Sequence, residues 1–146
     1  MPTILSLDPG QTTGVAFIGF EPNLGPAVVR HEQVSGGAIG FIQWLKQVPV
    51  DHYDEVVCES FVLRPGVHGA NIEPAYVIGA LEAIVDVPIT YQMPSQKKLV
   101  PDAVLKLGQS TYKAGEPHAT DAIRHGIIYL RNRGHKPTLK RFWPED

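Results

Sequence analysis

The sequence predicts an α/β fold: a five-stranded mixed sheet, its first three strands antiparallel, with helices on both faces. Three observations carry this. Three β-prone runs succeed one another near the start with only turn-forming residues between them. Further along, segments with helical spacing of apolar residues alternate with short apolar runs. One of those runs, residues 55–59 (EVVCE), is almost wholly apolar, as a strand covered on both faces is. Hairpin connections make antiparallel neighbours, whereas a helix between two strands makes a parallel crossover.

Residues 3–8 (TILSLD) form the first strand, and Pro9-Gly10 turns the chain into a second at 14–20 (GVAFIGF). The turn formers of EPNLGP precede a third strand at 27–34 (AVVRHEQV), and Gly36-Gly37 marks a break. Ile39, Ile42 and Leu45, with Phe41, Trp44 and Val48, recur at helical spacing over 38–48, and Pro49 ends that helix. After strand 55–59, residues 61–71 lack periodicity and read as a surface loop. Pro74 opens a helix with an apolar stripe at Ala75, Ile78, Leu81, Ile84 and Val85; residues 89–93 (ITYQM) are the fifth strand. Pro101-Asp102 opens a short helix, AVLKLG. A loop at 108–116 leads to the last helix, 118–132, with Ala122, Ile123, Ile127 and Leu130 facing a core. Residues 133–146 are a basic, aromatic tail left unassigned, and the 146 residues fit a single domain.

One cysteine, Cys58, excludes an internal disulfide and reads as a small buried strand residue, which suits a reducing cytosol. No apolar stretch approaches the ~20 residues of a membrane span, and no secretory leader is visible, so a soluble, non-secreted protein without membrane partners is expected. The net charge of −2 hides an asymmetry: from Pro94 onward ten basic side chains face five acidic ones, while residues 1–93 carry an acidic excess of seven. An acidic region can gather metal while a basic third tracks phosphates, although a solvated helix face and a charged tail account for the charge alone equally well.

The chemistry lies in four side chains: Asp8 in LSLDPGQTTG, Glu59 in VVCES, and His118 with Asp121 in PHATDAIRHG. Carboxylates at the C-terminal ends of neighbouring strands, with an imidazole and a carboxylate one turn apart on a helix, can hold divalent metal beside a phosphodiester. Singly each has a plain structural explanation, as turn residue, strand end or helix start; their order makes the set informative. His125, four residues after Asp121, could share its face but reads rather as an ordinary helix-surface histidine, and His31, His52, His68 and His135 show no ligand spacing.

The order LDPG-x-TTG, then a strand ending in Glu59, then Pro94-Ser95-x-Lys97-Lys98, then His118-x-x-Asp121 resembles the RuvC family of Holliday junction resolvases, especially small phage-encoded members. The resemblance runs from about Thr3 to Leu130. It implies a ribonuclease H-like fold and a homodimer that cuts symmetrically placed strands of a four-way DNA junction. It also implies two Mg²⁺ or Mn²⁺ ions per active site, and the cytoplasm of a bacterium or phage-infected host as the place of action. Asp8 matches the family's first-strand aspartate, Glu59 its fourth-strand glutamate, and Asp121 the aspartate on the last helix. His118 matches a position filled by Asp or His, either as metal ligand or as the group that positions water and accepts its proton. By the same resemblance Lys97, Lys98 and Lys113 approach the scissile phosphate, Phe61 is the aromatic wedge, and Arg64 contacts phosphate from the same loop. The helix starting at Pro74 supplies the dimer contact.

Three other functions stay open on sequence alone. A YqgF-type nuclease acting on structured RNA shares the fold and the Asp-Pro-Gly turn. A branched-DNA-binding module without catalysis keeps the architecture, but the intact acidic residues argue against it. An actin-like ATPase half also begins with an Asp-x-Gly-x-Thr-Thr turn, yet needs a second domain to close over nucleotide.

Overall fold

The structure, a computed structural model, describes residues 1–63, 71–108 and 116–145. Strands β1 (Thr3–Asp8), β2 (Thr12–Glu21), β3 (Leu24–Ser35), β4 (Glu55–Glu59) and β5 (Ile89–Gln92) form one sheet in the order β3-β2-β1-β4-β5. β1 pairs antiparallel with β2, and β2 with β3; β4 runs parallel to both β1 and β5. The helices are α1 (Gly37–Gln47), α2 (Glu73–Ile84), α3 (Asp102–Leu107), α4 (Pro117–Asn132) and α5 (Lys136–Phe142). None of the described helices is long and apolar enough to cross a membrane.

The period-2 alternation of β1 divides the core. Leu5 and Leu7 pack with Phe41, Leu45, Val77 and Leu81 beneath α1 and α2, whereas Ile4 joins Ile123, Ile127 and Ile128 beneath α4. Ser6 faces α4 as well, and its hydroxyl donates to the Ala122 carbonyl at 2.5 Å. The same alternation therefore aims Asp8 at the α4 side. On β4, Val57 packs towards α4 while Val56 and Cys58 pack the other way, so Glu59 also faces α4. Helices thus cover both faces of the five-stranded sheet, as the sequence predicts.

Element ends shift by at most three residues, and two segments that the sequence reading left without an element are helical. Pro94–Leu99, which holds Lys97 and Lys98, is a 3-10 segment, and the unassigned tail holds α5. That helix is anchored rather than loose: Phe142 is buried, the Arg141 guanidinium donates to the Pro26 carbonyl at 2.7 Å, and Arg131 lies 4.4 Å above the Trp143 ring. The Gly36-Gly37 break has both glycines at positive φ, 92° and 59°, where a Cβ would strain the backbone. The Gly37 N–H donates to the Gln11 carbonyl and ties this break to the turn after β1.

Candidate active site

Asp8 closes the central strand, and the register that pairs Leu7 with Cys58 sets Glu59 beside it at the end of β4. The turn between Asp8 and β2 is held by Thr13, whose hydroxyl donates to the Gly10 carbonyl and accepts from the Gly10 N–H, both at 3.3 Å. Helix α4 then crosses β2 with its first turn against the strand. It can do so because residue 14 is glycine: a Cβ there would lie 1.8 Å from the His118 carbonyl oxygen. The Gln33 side chain of β3 fixes the same turn, accepting from the His118 N–H at 2.9 Å. These contacts place His118 and Asp121, one turn apart, over the ends of β1 and β4.

The four sequence-predicted residues are therefore brought together. His118 Nδ1 is 3.4 Å from Asp8 Oδ2, and Lys97 Nζ stands 2.8 Å from Glu59 Oε1 and 3.3 Å from Asp121 Oδ2. Asp8 is buried, and burial together with the neighbouring Glu59 charge pushes its carboxyl up to about 8. Burial works in the same direction on Glu59, but hydrogen bonds from His125 and Lys97 outweigh it and lower the carboxyl to about 2. Lys97 is raised: burial opposes its charge, and the bond to Glu59 and the charges of Asp8 and Asp121 more than compensate.

Hard carboxylate oxygens and one imidazole, with a central carboxyl that burial and the neighbouring acidic charges hold above its ordinary range, are the donor chemistry that suits Mg²⁺ or Mn²⁺. Among the described residues, however, no three acidic, imidazole or thiol side chains converge on one point as the ligands of a bound metal do. The Lys97 ammonium stands between two of the candidate ligands instead. Lys97→Met should consequently lower the melting temperature in EDTA by a few °C, because it removes the one ammonium shared by two partly buried carboxylates and leaves Glu59 to His125 and Asp121 to Arg124. Excess Mg²⁺ should shrink that deficit, which differential scanning fluorimetry reads directly.

Of the other candidates, Lys98 is exposed next to Lys97, and Phe61, two residues beyond Glu59, is half-buried. Arg64 and Lys113 lie outside the described residues. The basic C-terminal third is less available to phosphate than its charge suggests. Lys97 is engaged at the site, Arg124 binds Asp121 at 2.8 Å and also Asp102, and Arg133 binds Glu55 at 2.8 Å.

Sequence reasoning misplaced one residue. His125 is no surface histidine: it is completely buried, its Nε2 lies 3.0 Å from Glu59 Oε1, and the Gln92 amide lies 3.0 Å from its Nδ1. The four-residue spacing from Asp121 puts it on the site face, and the apolar run that follows, Ile127 and Ile128, signalled that this face is covered. Gln92, Gln33 and Arg124 were not read as site residues at all; Arg124 grips Asp121 while its Nε donates to the Val100 carbonyl at 2.8 Å.

This sheet, with α4 laid across its carboxylate-bearing strand ends, is the ribonuclease H-like fold. No protein-family model matches the chain, and no curated protein matches its sequence. Solved structures do share its fold. RuvC of Thermus thermophilus, solved in complex with a Holliday junction substrate, superposes with a TM-score of 0.66 at 15% identity, covering 91% of this chain and 97% of that one. The fowlpox virus resolvase, solved with substrate Holliday junction DNA, superposes with a TM-score of 0.61 at 14% identity, covering 90% and 98%. At such identities the likeness is one of fold.

Proposed function

We propose that this chain is a metal-dependent, structure-selective endonuclease that hydrolyses phosphodiester bonds in branched DNA, resolving four-way junctions by paired, symmetric nicks as a homodimer. One observation carries the reading: Asp8 and Glu59 end adjacent parallel strands, and α4 sets Asp121 and His118 against them. The fold shared with two resolvases solved on junction DNA supports the choice of substrate.

Asp8, Glu59, Asp121 and His118 would hold Mg²⁺ or Mn²⁺, two ions per site. When bound, such ions acidify a water and offset the charge that develops on the phosphate. The chain's own residues do the rest. Asp8, buried at the centre, anchors the set; Arg124 and Gln33 fix the two ends of the first turns of α4. His118, half-exposed on the open side of Asp8, can accept a proton from an attacking water or complete the ligand set. Lys97, released from Glu59 and Asp121, supplies a point charge at the phosphate, and exposed Lys98 adds to the approach. Two copies related by a two-fold axis match the two-fold symmetry of a four-way junction.

The test is cleavage of four-way, three-way, flap and duplex DNA and of structured RNA, with Mg²⁺ or EDTA. Four-way DNA should be cut at symmetric positions on opposite strands, with Glu59→Gln and Asp121→Asn reducing the rate at least about 10³-fold while binding in Ca²⁺ persists. Preferential cutting of RNA would transfer the same site to an RNA nuclease. Near-normal turnover by either variant would remove the site assignment.

A further inference from the structure

We propose that His125 and Gln92 are a positioning pair that aims the Glu59 carboxylate, with His125 locked by Gln92 as its Nε2–H tautomer. This rests on the reading of Glu59 as a metal ligand. The geometry begins with register. β4 and β5 pair in parallel with Glu59 opposite Gln92, so both side chains rise from the face that carries α4, where His125 lies completely buried between them. Gln92 Nε2 stands 2.9 Å from the His125 carbonyl oxygen and 3.0 Å from its ring Nδ1.

A carbonyl oxygen only accepts, so the amide must present its NH₂ there; the opposite orientation would set two oxygens against each other. One N–H serves the carbonyl and the other leaves Nδ1 as an acceptor. The ring proton then belongs on Nε2, which lies 3.0 Å from Glu59 Oε1 and donates to it. His125 and Lys97 meet the same oxygen, Oε1, so the grip of His125 fixes the direction of the carboxylate even where Lys97 is released.

The pair has a cost that packing alone does not require. Gln92 Oε1 is buried with no hydrogen-bond partner among the described residues, an arrangement an apolar side chain of similar size would avoid. A glutamate at a ligand position also needs orienting more than an aspartate does, since it has one more rotatable bond. Asp8 has the strand end and the His118 contact; Glu59 has His125. A neighbour that fixes a ligating group commonly matters about 10–100-fold in metal affinity.

The experiment titrates the full chain with Mn²⁺ alone, by calorimetry, for wild type, His125→Leu, His125→Gln and Gln92→Leu. His125→Leu should weaken Mn²⁺ binding about 10–100-fold with junction affinity in EDTA unchanged, and His125→Gln, whose amide N–H can still reach Glu59, should recover most of the loss. Gln92→Leu should fall between. If His125→Leu binds Mn²⁺ as wild type does, the positioning role is overturned and the metal site stands. If wild type shows no saturable Mn²⁺ site that Asp8→Asn removes, the metal reading and this inference fall together. Should the leucine variant not fold, long-range ¹H–¹⁵N correlation on wild-type protein decides: a ring protonated at Nε2 alone supports the pair, and a ring protonated at Nδ1 overturns it.

Discussion

Asp8→Asn should abolish cleavage and at the same time make the metal-free protein more stable. The stability follows from the protonation of Asp8, whose carboxyl is raised from 3.8 to about 8 in the fold by burial and by the Glu59 charge. Below about pH 4 the group is neutral in both folded and unfolded chains and costs nothing. As pH rises from there towards 8, the unfolded chain gains by ionising while the folded one does not, so wild type loses stability across that window. Asparagine never ionises and its amide can still donate to Glu59, as the protonated Asp8 carboxyl does. At pH 7 in EDTA the variant should be more stable by up to about 4 kcal/mol, the linkage between 3.8 and pH 7, which is on the order of 10 °C in melting temperature. Glu59 works with the opposite sign: its carboxyl is lowered from 4.5 to about 2, so it stabilises the fold above 4.5 and that contribution is lost as pH falls through about 2. Comparing the variant with wild type from pH 4 to 8 isolates Asp8. Metal should reverse the order, stabilising wild type and leaving Asp8→Asn unmoved. A variant less stable than wild type in EDTA at pH 7 would show that Asp8 is not held neutral.

Gly14→Ala should be the most damaging Gly→Ala change among the described glycines. Its Cβ would stand 1.8 Å from the His118 carbonyl oxygen, 2.1 Å from the His118 carbonyl carbon and 2.7 Å from the Ala119 nitrogen, all backbone atoms of the first turn of α4. Nothing there can rotate aside, so the helix start must move off β2 and carry His118 and Asp121 with it. A loss of about 2–4 kcal/mol in stability is expected. The rate should fall about 10²-fold at a temperature where the variant is folded, since a displacement near 1 Å is enough for that. Gly126→Ala is the control. Its Cβ would meet the end of the Ile18 side chain at 2.2 Å, which can change rotamer, so it should cost about 1 kcal/mol and much less activity. Equal effects from the two substitutions, measured by urea denaturation and single-turnover cleavage, would mean that the close crossing of β2 and α4 does not position the site.

The fold and the four central residues were legible because each has a local signature. Alternation in TILSLD, turn chemistry in DPGQTTG and the apolar run EVVCE set the strands, and the acidic residues stand where those runs end. The one-turn spacing of His118 and Asp121 fixed their common face before any partner was known. The surroundings of those residues were not legible, since they depend on which strands lie side by side. Gln92 meets Glu59 only through the β4–β5 register, and His125 becomes a buried partner only when α4 is laid across both. Charge was ambiguous for a related reason. A count of lysines and arginines cannot tell a cation that faces phosphate from one already bound within the fold, and Lys97, Arg124 and Arg133 are of the second kind in this structure. Sequence alone marked the four candidate residues and their places at strand ends and on one helix face, because residue type and element ends are local properties. The tertiary structure alone decided their protonation and orientation, because burial and neighbouring charge are set by contacts between segments far apart in the chain.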